Sequence, residues 1–273
     1  MMPEIVFCNE LIAREWPRLA DQARFARRLG ASGLELAPGT LGAAPERLSG
    51  AEVAEIRREV EDEGVRIAGL HWLLSDRPGA SITDPAAASA TQEILVGLTG
   101  LCAALGGDVL VHGSPGQRRP VGSAAEAVAG LPAFFAPVAE AAERHGVTYC
   151  IEPLAREETE IVNTVAEGAE LVDAVGSPAF RTMIDCSAAG RTEPPVADLM
   201  RAWLGTGKVA HLHFNDTNRG APGTGSDSFG DILTAVREAG WAGPLSVEPF
   251  RLDGSLEATF GTAVDTLRSG WGA

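Results

Sequence analysis

The sequence predicts an α/β fold of the (β/α)8 barrel class, and three observations predict it. Short β-rich runs alternate with longer helix-period segments along all 273 residues, an order that makes parallel β-α-β units. Eight such runs are present, the number that a closed barrel needs. No composition break, linker or low-complexity tract separates them, so residues 1–273 are expected to form a single domain. Barrels of about 250 residues commonly fold as one unit.

The first strand is expected in "EIVFCN" (4–9), followed by the helical segment "WPRLADQARFARRLG". "GLELAP" (33–38) is the second strand, "AEVAEIRREVEDEG" the next helix and "VRIAGLHWLL" (65–74) the third strand. "DVLVHGS" (108–114) and "VTYCIEPL" (147–154) are the fourth and fifth, then "FRTMIDCS" (180–187) and "VAHLHFND" (209–216). The helix "FGDILTAVREAG" leads into "GPLSVEPF" (243–250), and a last helix around 255–270 brings the helices to eight. Gly30, Gly64, Gly146 and Gly240 stand where helices give way to strands, as a left-handed C-terminal cap requires. No GxGxxG turn follows the first strand, which weakens the dinucleotide-binding alternative.

Composition narrows the partners. The net charge of −15 opposes a nucleic-acid partner, because an acidic surface repels the phosphate backbone. No apolar run approaches the ~20 residues of a membrane span. "MMPEIVFCNE" lacks the basic segment and cleavage site of a signal peptide. A soluble cytoplasmic protein with no membrane partner is expected. Cys8, Cys102, Cys150 and Cys186 form no CxxC pair and read as reduced, buried small hydrophobes.

In a barrel of this class chemistry gathers at the C-terminal ends of the strands. The fifth ends with Glu152, the sixth with Asp185, the seventh with His213 and the eighth with Glu248, each in an otherwise apolar run. Three carboxylates on four neighbouring strands would repel one another unless a cation lay between them. Two Glu, one Asp and one His suit Mn2+, with Co2+ or Mg2+ as alternatives, better than a thiolate-type zinc site. His211 and His213 share a face because strand side chains alternate. His213 lies one pleat nearer the mouth and is the expected ligand; His211 is expected to support it or to bond the substrate.

Further residues are weaker candidates. His71 and Trp72 fall near the mouth of the third strand, where an aromatic can pack on a sugar face. His112, after the fourth strand, is placed to contact substrate; Gln117, Arg118 and Arg119 are placed to meet a phosphate, with a solvated basic loop the alternative that better suits the arginines. His145 is expected at the surface by a helix terminus. Trp16, Trp203, Trp241 and Trp271 read as packing residues that leave room for a homo-oligomer, dimer or tetramer.

These residues resemble the xylose isomerase-like TIM barrels, the sugar phosphate isomerases/epimerases, and most of all the ketose 3-epimerases and hydroxypyruvate isomerases. The motifs that carry the likeness are "IEPLAREETEIVNT", "HLHFNDTNRGAPGTG" and "GWAGPLSVEPF". The resemblance implies Glu152, Asp185, His213 and Glu248 as metal ligands, and Glu158 and Arg219 as substrate contacts. The epimerases have a substrate-binding histidine three residues after the strand-six aspartate, where this chain has Ala188.

The implied reaction is a metal-dependent isomerisation or epimerisation of a ketose or keto-sugar. The metal would chelate a carbonyl and its neighbouring hydroxyl and stabilise an enediolate. Glu152 and Glu248, on opposite sides, would remove and return the proton α to the carbonyl. Arg219, in the loop after the seventh strand, would polarise an oxygen or bind an anionic group. A lyase or dehydratase acting on a keto-sugar, keto-inositol or 3-keto-glycoside would use the same metal and the same proton abstraction. A non-catalytic sugar-binding barrel would not need both glutamates. The related endonuclease IV needs more histidines than the five present and a basic groove.

Overall fold

The computed structural model of the chain describes residues 2–272. Eight parallel strands lie side by side in chain order: β1 (Ile5–Cys8), β2 (Gly33–Leu36), β3 (Arg66–Leu70), β4 (Val109–His112), β5 (Thr148–Ile151), β6 (Phe180–Asp185), β7 (Val209–Phe214) and β8 (Leu245–Val247). β8 pairs with β1 through Ile5–Leu245, Val6–Ser246 and Phe7–Val247, which closes the barrel. Every strand falls inside the run expected for it, and each is shorter; Glu152 and Glu248 lie just past β5 and β8, whereas Asp185 and His213 are paired within β6 and β7.

The helices among the described residues are α1 (Glu10–Glu15), α2 (Leu19–Leu29), α3 (Gly50–Glu61), α4 (Ala88–Ala104) and α5 (Ala124–His145). They continue as α6 (Val165–Val175), α7 (Cys186–Thr192), α8 (Val196–Trp203), α9 (Phe229–Glu238) and α10 (Leu256–Gly272). Eight were expected; the two short helices α1 and α7 are additional, and each begins at the mouth, directly after β1 and β6. Neither is long enough to show a helical period. α7 forms because the Asp185 carboxylate accepts from the Ala188 amide at 2.7 Å. Reciprocal caps of the Ser-x-x-Glu or Thr-x-x-Glu type start α3, α5 and α6 at Ser49, Ser123 and Thr164. Gly30, Gly64, Gly146 and Gly240 all have positive φ between 69° and 91°, as the caps demand.

α5 is a difference from the composition reading: by length and hydropathy alone it could cross a membrane. In the fold it lays Leu131, Phe135, Val138 and Ala142 on the barrel. The apolar core has two parts. The larger lies between strands and helices, and a small one (Val109, Val111, Cys150, Met183) fills the barrel interior. Along each strand, residues two positions beyond this inner cluster continue up the same face: Gly113 from β4, Glu152 from β5 and Asp185 from β6.

Candidate functional site

Glu152 follows β5, Asp185 ends β6, His213 lies in β7 and Glu248 follows β8. Asp185 pairs with His213, and His213 with Ser246, which brings the ends of the last three strands level. One oxygen or nitrogen from each of the four side chains lies within 4.8 Å of the others, and all four are buried. Asn215 ties the group together. Its amide donates to Asp185 Oδ2 (2.6 Å) and to the Glu248 carbonyl (3.0 Å), and its Oδ1 accepts from the Ser187 amide.

The donor set suits a divalent cation. His213 Nδ1 and Glu248 Oε2 stand 2.8 Å apart, yet neither has a hydrogen bond. Two buried polar atoms so close together, with no other partner, are placed as two ligands of one ion would be. Without that ion, burial raises Glu152 well above the carboxylate range, and the charges of Glu248 and Asp185 raise it further. Burial and the Glu248 charge push Asp185 up to about 7. Glu248 goes the other way: burial opposes its charge, but the His213 and His71 imidazoles hold it down to about 2.

Two carboxylates not singled out in the sequence complete the buried network. Glu35, at the end of β2, approaches His211 Nε2 at 2.8 Å and His213 Nε2 at 3.1 Å, and accepts from Ser246 Oγ. Glu10, in α1, lies 3.3 Å from His71 Nε2, while His71 Nδ1 bonds Glu248 Oε1 at 3.0 Å. Burial drives the Glu10 carboxyl up to about 7, with neighbouring His71 opposing and Glu248 adding to the rise. The signal for Glu35 was available: an acidic residue in the apolar run "GLELAP", the same pattern that marked Glu152 and Glu248. Glu10 carried no such signal, because it sits in a helix after the strand.

A cavity at the mouth opens onto Glu152 and Asp185. Trp72 and Phe250 form one wall, their ring centroids 6.2 Å apart, and Ala188, Arg191, Glu158 and Arg219 complete its charged side. Arg219 packs on Phe250 at 4.2 Å and pairs with Glu158; Arg191 binds the other Glu158 oxygen at 3.0 Å. Trp72 and Arg219, both lining the cavity, have positive φ at 53° and 64°, an uncommon conformation for residues with a side chain. So Glu158, Arg219 and Trp72 share the cavity with Glu152 and Asp185. Arg191 joins them unexpectedly, one turn of α7 beyond Ala188.

His71, His211 and His112 do not line this cavity. His71 and His211 are buried against carboxylates: His71 lies between Glu10 and Glu248, and His211 beside Glu35. His112 lies on the other face of β4. Strand alternation puts Val111 and Gly113 inside the barrel and His112 outside, where Nδ1 meets the Tyr149 hydroxyl at 2.6 Å. Its ring stands edge-on to Phe135, 5.7 Å away. The pleat thus turns His112 away from the mouth. The loop after β4 also differs from the solvated reading. Arg118 is buried and donates to the carbonyls of Glu152 and His112, and Gln117 is buried, while Arg119 is exposed. His145 lies at the surface.

The family model described as xylose isomerase-like TIM barrel matches residues 23–270. A D-psicose 3-epimerase of Agrobacterium fabrum is 28% identical over 208 residues, 74% of this chain and 70% of that protein. An L-ribulose 3-epimerase of Mesorhizobium japonicum is 33% identical over 118 residues, which span 43% of this chain and only 39% of the relative. Among solved structures, a D-psicose 3-epimerase crystallised in the presence of D-fructose covers 100% of both chains at 22% identity, with a TM-score of 0.80.

Proposed function

This chain belongs to the xylose isomerase-like TIM barrel family, and from that premise we propose that it is a divalent-metal-dependent epimerase of a ketose or keto-sugar. The observation that carries the proposal is the meeting of Glu152, Asp185, His213 and Glu248 within 4.8 Å at the barrel mouth. The 3-epimerase names of the relatives agree with it. These four side chains would hold the cation. Three carboxylates and one imidazole favour Mn2+, with Co2+ or Mg2+ as substitutes. When bound, the cation supplies Lewis-acid polarisation of the substrate carbonyl and hydroxyl.

The protein's own groups do the rest. Glu152 and Glu248 approach from β5 and β8, on either side of Asp185 and His213. One takes the proton from the carbon α to the carbonyl and the other returns a proton to the opposite face, which inverts that carbon. His71, bonded to Glu248 Oε1, keeps that carboxylate in place during the exchange. Trp72 and Phe250 offer an apolar wall to the sugar face, and Glu158 and Arg219 offer hydrogen bonds to its hydroxyls. The active protein is expected to be cytoplasmic, and a dimer or tetramer is consistent with the partly buried tryptophans.

Ala188 favours one competing reading. Without a hydrogen-bonding side chain there, a β-hydroxyl or glycosyl group could leave after proton abstraction, as in a lyase or dehydratase. Solvent exchange separates the two. The Mn2+-loaded protein in D2O, given ketoses, keto-sugars and 3-keto-glycosides, is expected to place one deuterium at the inverted carbon of an otherwise unchanged product. Loss of water or of an aglycone makes it a lyase, and no exchange with any of them overturns the proposal. Glu152→Gln and Glu248→Gln are each expected to slow exchange by about 10²–10⁴-fold with an unchanged circular dichroism spectrum.

A further inference from the structure

We propose that Glu35 is the residue that orients His213 for the cation, fixing Nε2 as the protonated nitrogen and Nδ1 as the ligand. The inference rests on the metal reading of the site above. Glu35 reaches across the barrel interior from β2, on the far side from the four converging residues, and it is fully buried. Its Oε2 lies 3.1 Å from His213 Nε2, with a hydrogen bond's alignment. A carboxylate can only accept, so Nε2 carries the proton in that bond. A neutral imidazole has a single N–H, so its lone pair is on Nδ1, the atom 2.8 Å from Glu248 Oε2, and Glu248 is itself one of the four converging side chains.

The second oxygen of Glu35 is occupied as well. Ser246 Oγ donates to Oε1, and His211 Nε2 is 2.8 Å from it. Rotation of the carboxylate away from His213 would break both contacts. This gives the paired histidines of "HLHF" separate places: His213 faces the ion, and His211 Nε2 stands 2.8 Å from the carboxylate that aims it. No Lys or Arg pairs with Glu35 among the described residues. A buried carboxylate without such a partner is expensive where an apolar side chain would pack, and the geometry supplies the return. A ligating histidine whose other nitrogen donates to a carboxylate is fixed in tautomer and made more basic, an effect on affinity of about 10–100-fold. Glu35 is a positioning residue: it meets the nitrogen remote from the ion and would not touch the substrate.

The test compares metal-free wild type with Glu35→Gln, titrated with Mn2+ and followed by the electron paramagnetic resonance of the free ion. Glu35→Asp is a second variant that keeps the charge but is too short to reach His213. Glu35→Gln is expected to weaken Mn2+ binding about 10–100-fold, and Glu35→Asp to weaken it too. The Co2+ absorption spectrum is expected to shift in both. In the Mg2+-loaded wild type, the Nε2 proton of His213 is expected as a low-field resonance that both variants lose. A merely structural role would lower the melting temperature and leave the Mn2+ constant within twofold of wild type, and that result in either folded variant overturns the inference. Wild type that binds no Mn2+ overturns the metal reading itself and this inference with it.

Discussion

Asp185 shows how closely the site's charge depends on protons when no cation is present. Burial and the Glu248 charge lift it from 3.8 to about 7, and Glu10 rises from 4.5 to about 7. A raised carboxyl means that the folded chain binds more protons than the unfolded one between those values, so stability falls as pH rises from about 4 to 7. His71 and His213, raised despite burial by their carboxylate neighbours, act in the same direction above 6.5. The lowered Glu248 contributes stability above 4.5 that is lost only as pH falls toward about 2, outside this window. Metal-free protein is therefore expected to melt higher at pH 5 than at pH 7.5. The rise in melting temperature on adding Mn2+ is expected to be larger at pH 7.5, because the ion no longer displaces protons. Calorimetry at the two pH values checks both; a metal-free protein that melts higher at pH 7.5 would remove the proton-for-cation account. At this scale an acidic residue in an apolar strand end was readable and found Glu152, Asp185 and Glu248. The same signal stands at Glu35 in "GLELAP". His112 is not legible in this way, because a histidine at a strand end looks alike on either face, and only the inward pairing of Val111 with Cys150 reveals the pleat.

Among the elements, the two halves of the barrel divide the work. β5 to β8 carry the four converging side chains, and β1 to β3 with α1 carry Glu10, Glu35 and His71 behind them. β4 lies at the seam and contributes space rather than chemistry. A Cβ at Gly113 would fall 1.6 Å from Glu152 Oε2, so the carboxylate occupies room that only glycine leaves. Gly113→Ala is expected to displace Glu152 and weaken Mn2+ binding at least ~10-fold, with the helical circular dichroism signal retained. Mn2+ affinity equal to wild type would show that Glu152 does not need that position. Strands and long helices were legible because apolar periods of two and of about 3.6 persist through them. The short α1 and α7 were not, since one or two turns carry no period. They also place Glu10 and Arg191, two residues of the site that sequence reading did not reach.

For the molecule as a whole, eight β-α units in one uninterrupted chain made the barrel legible before any contact was known. Closure was not readable locally: it depends on Ile5 meeting Leu245 across almost the full chain. Closure also turns four separated strand ends into one rim, and it brings Glu35 of β2 within reach of His213 of β7. Convergence is therefore a property of the whole fold, and so is the requirement for positive charge at its centre. Crystals grown with Mn2+ and measured across the manganese absorption edge provide the test. One anomalous peak per chain is expected, coordinated by Glu152, Asp185, His213 and Glu248. A peak elsewhere, or no peak at saturating Mn2+, would mean that these carboxylates are held together by protons alone.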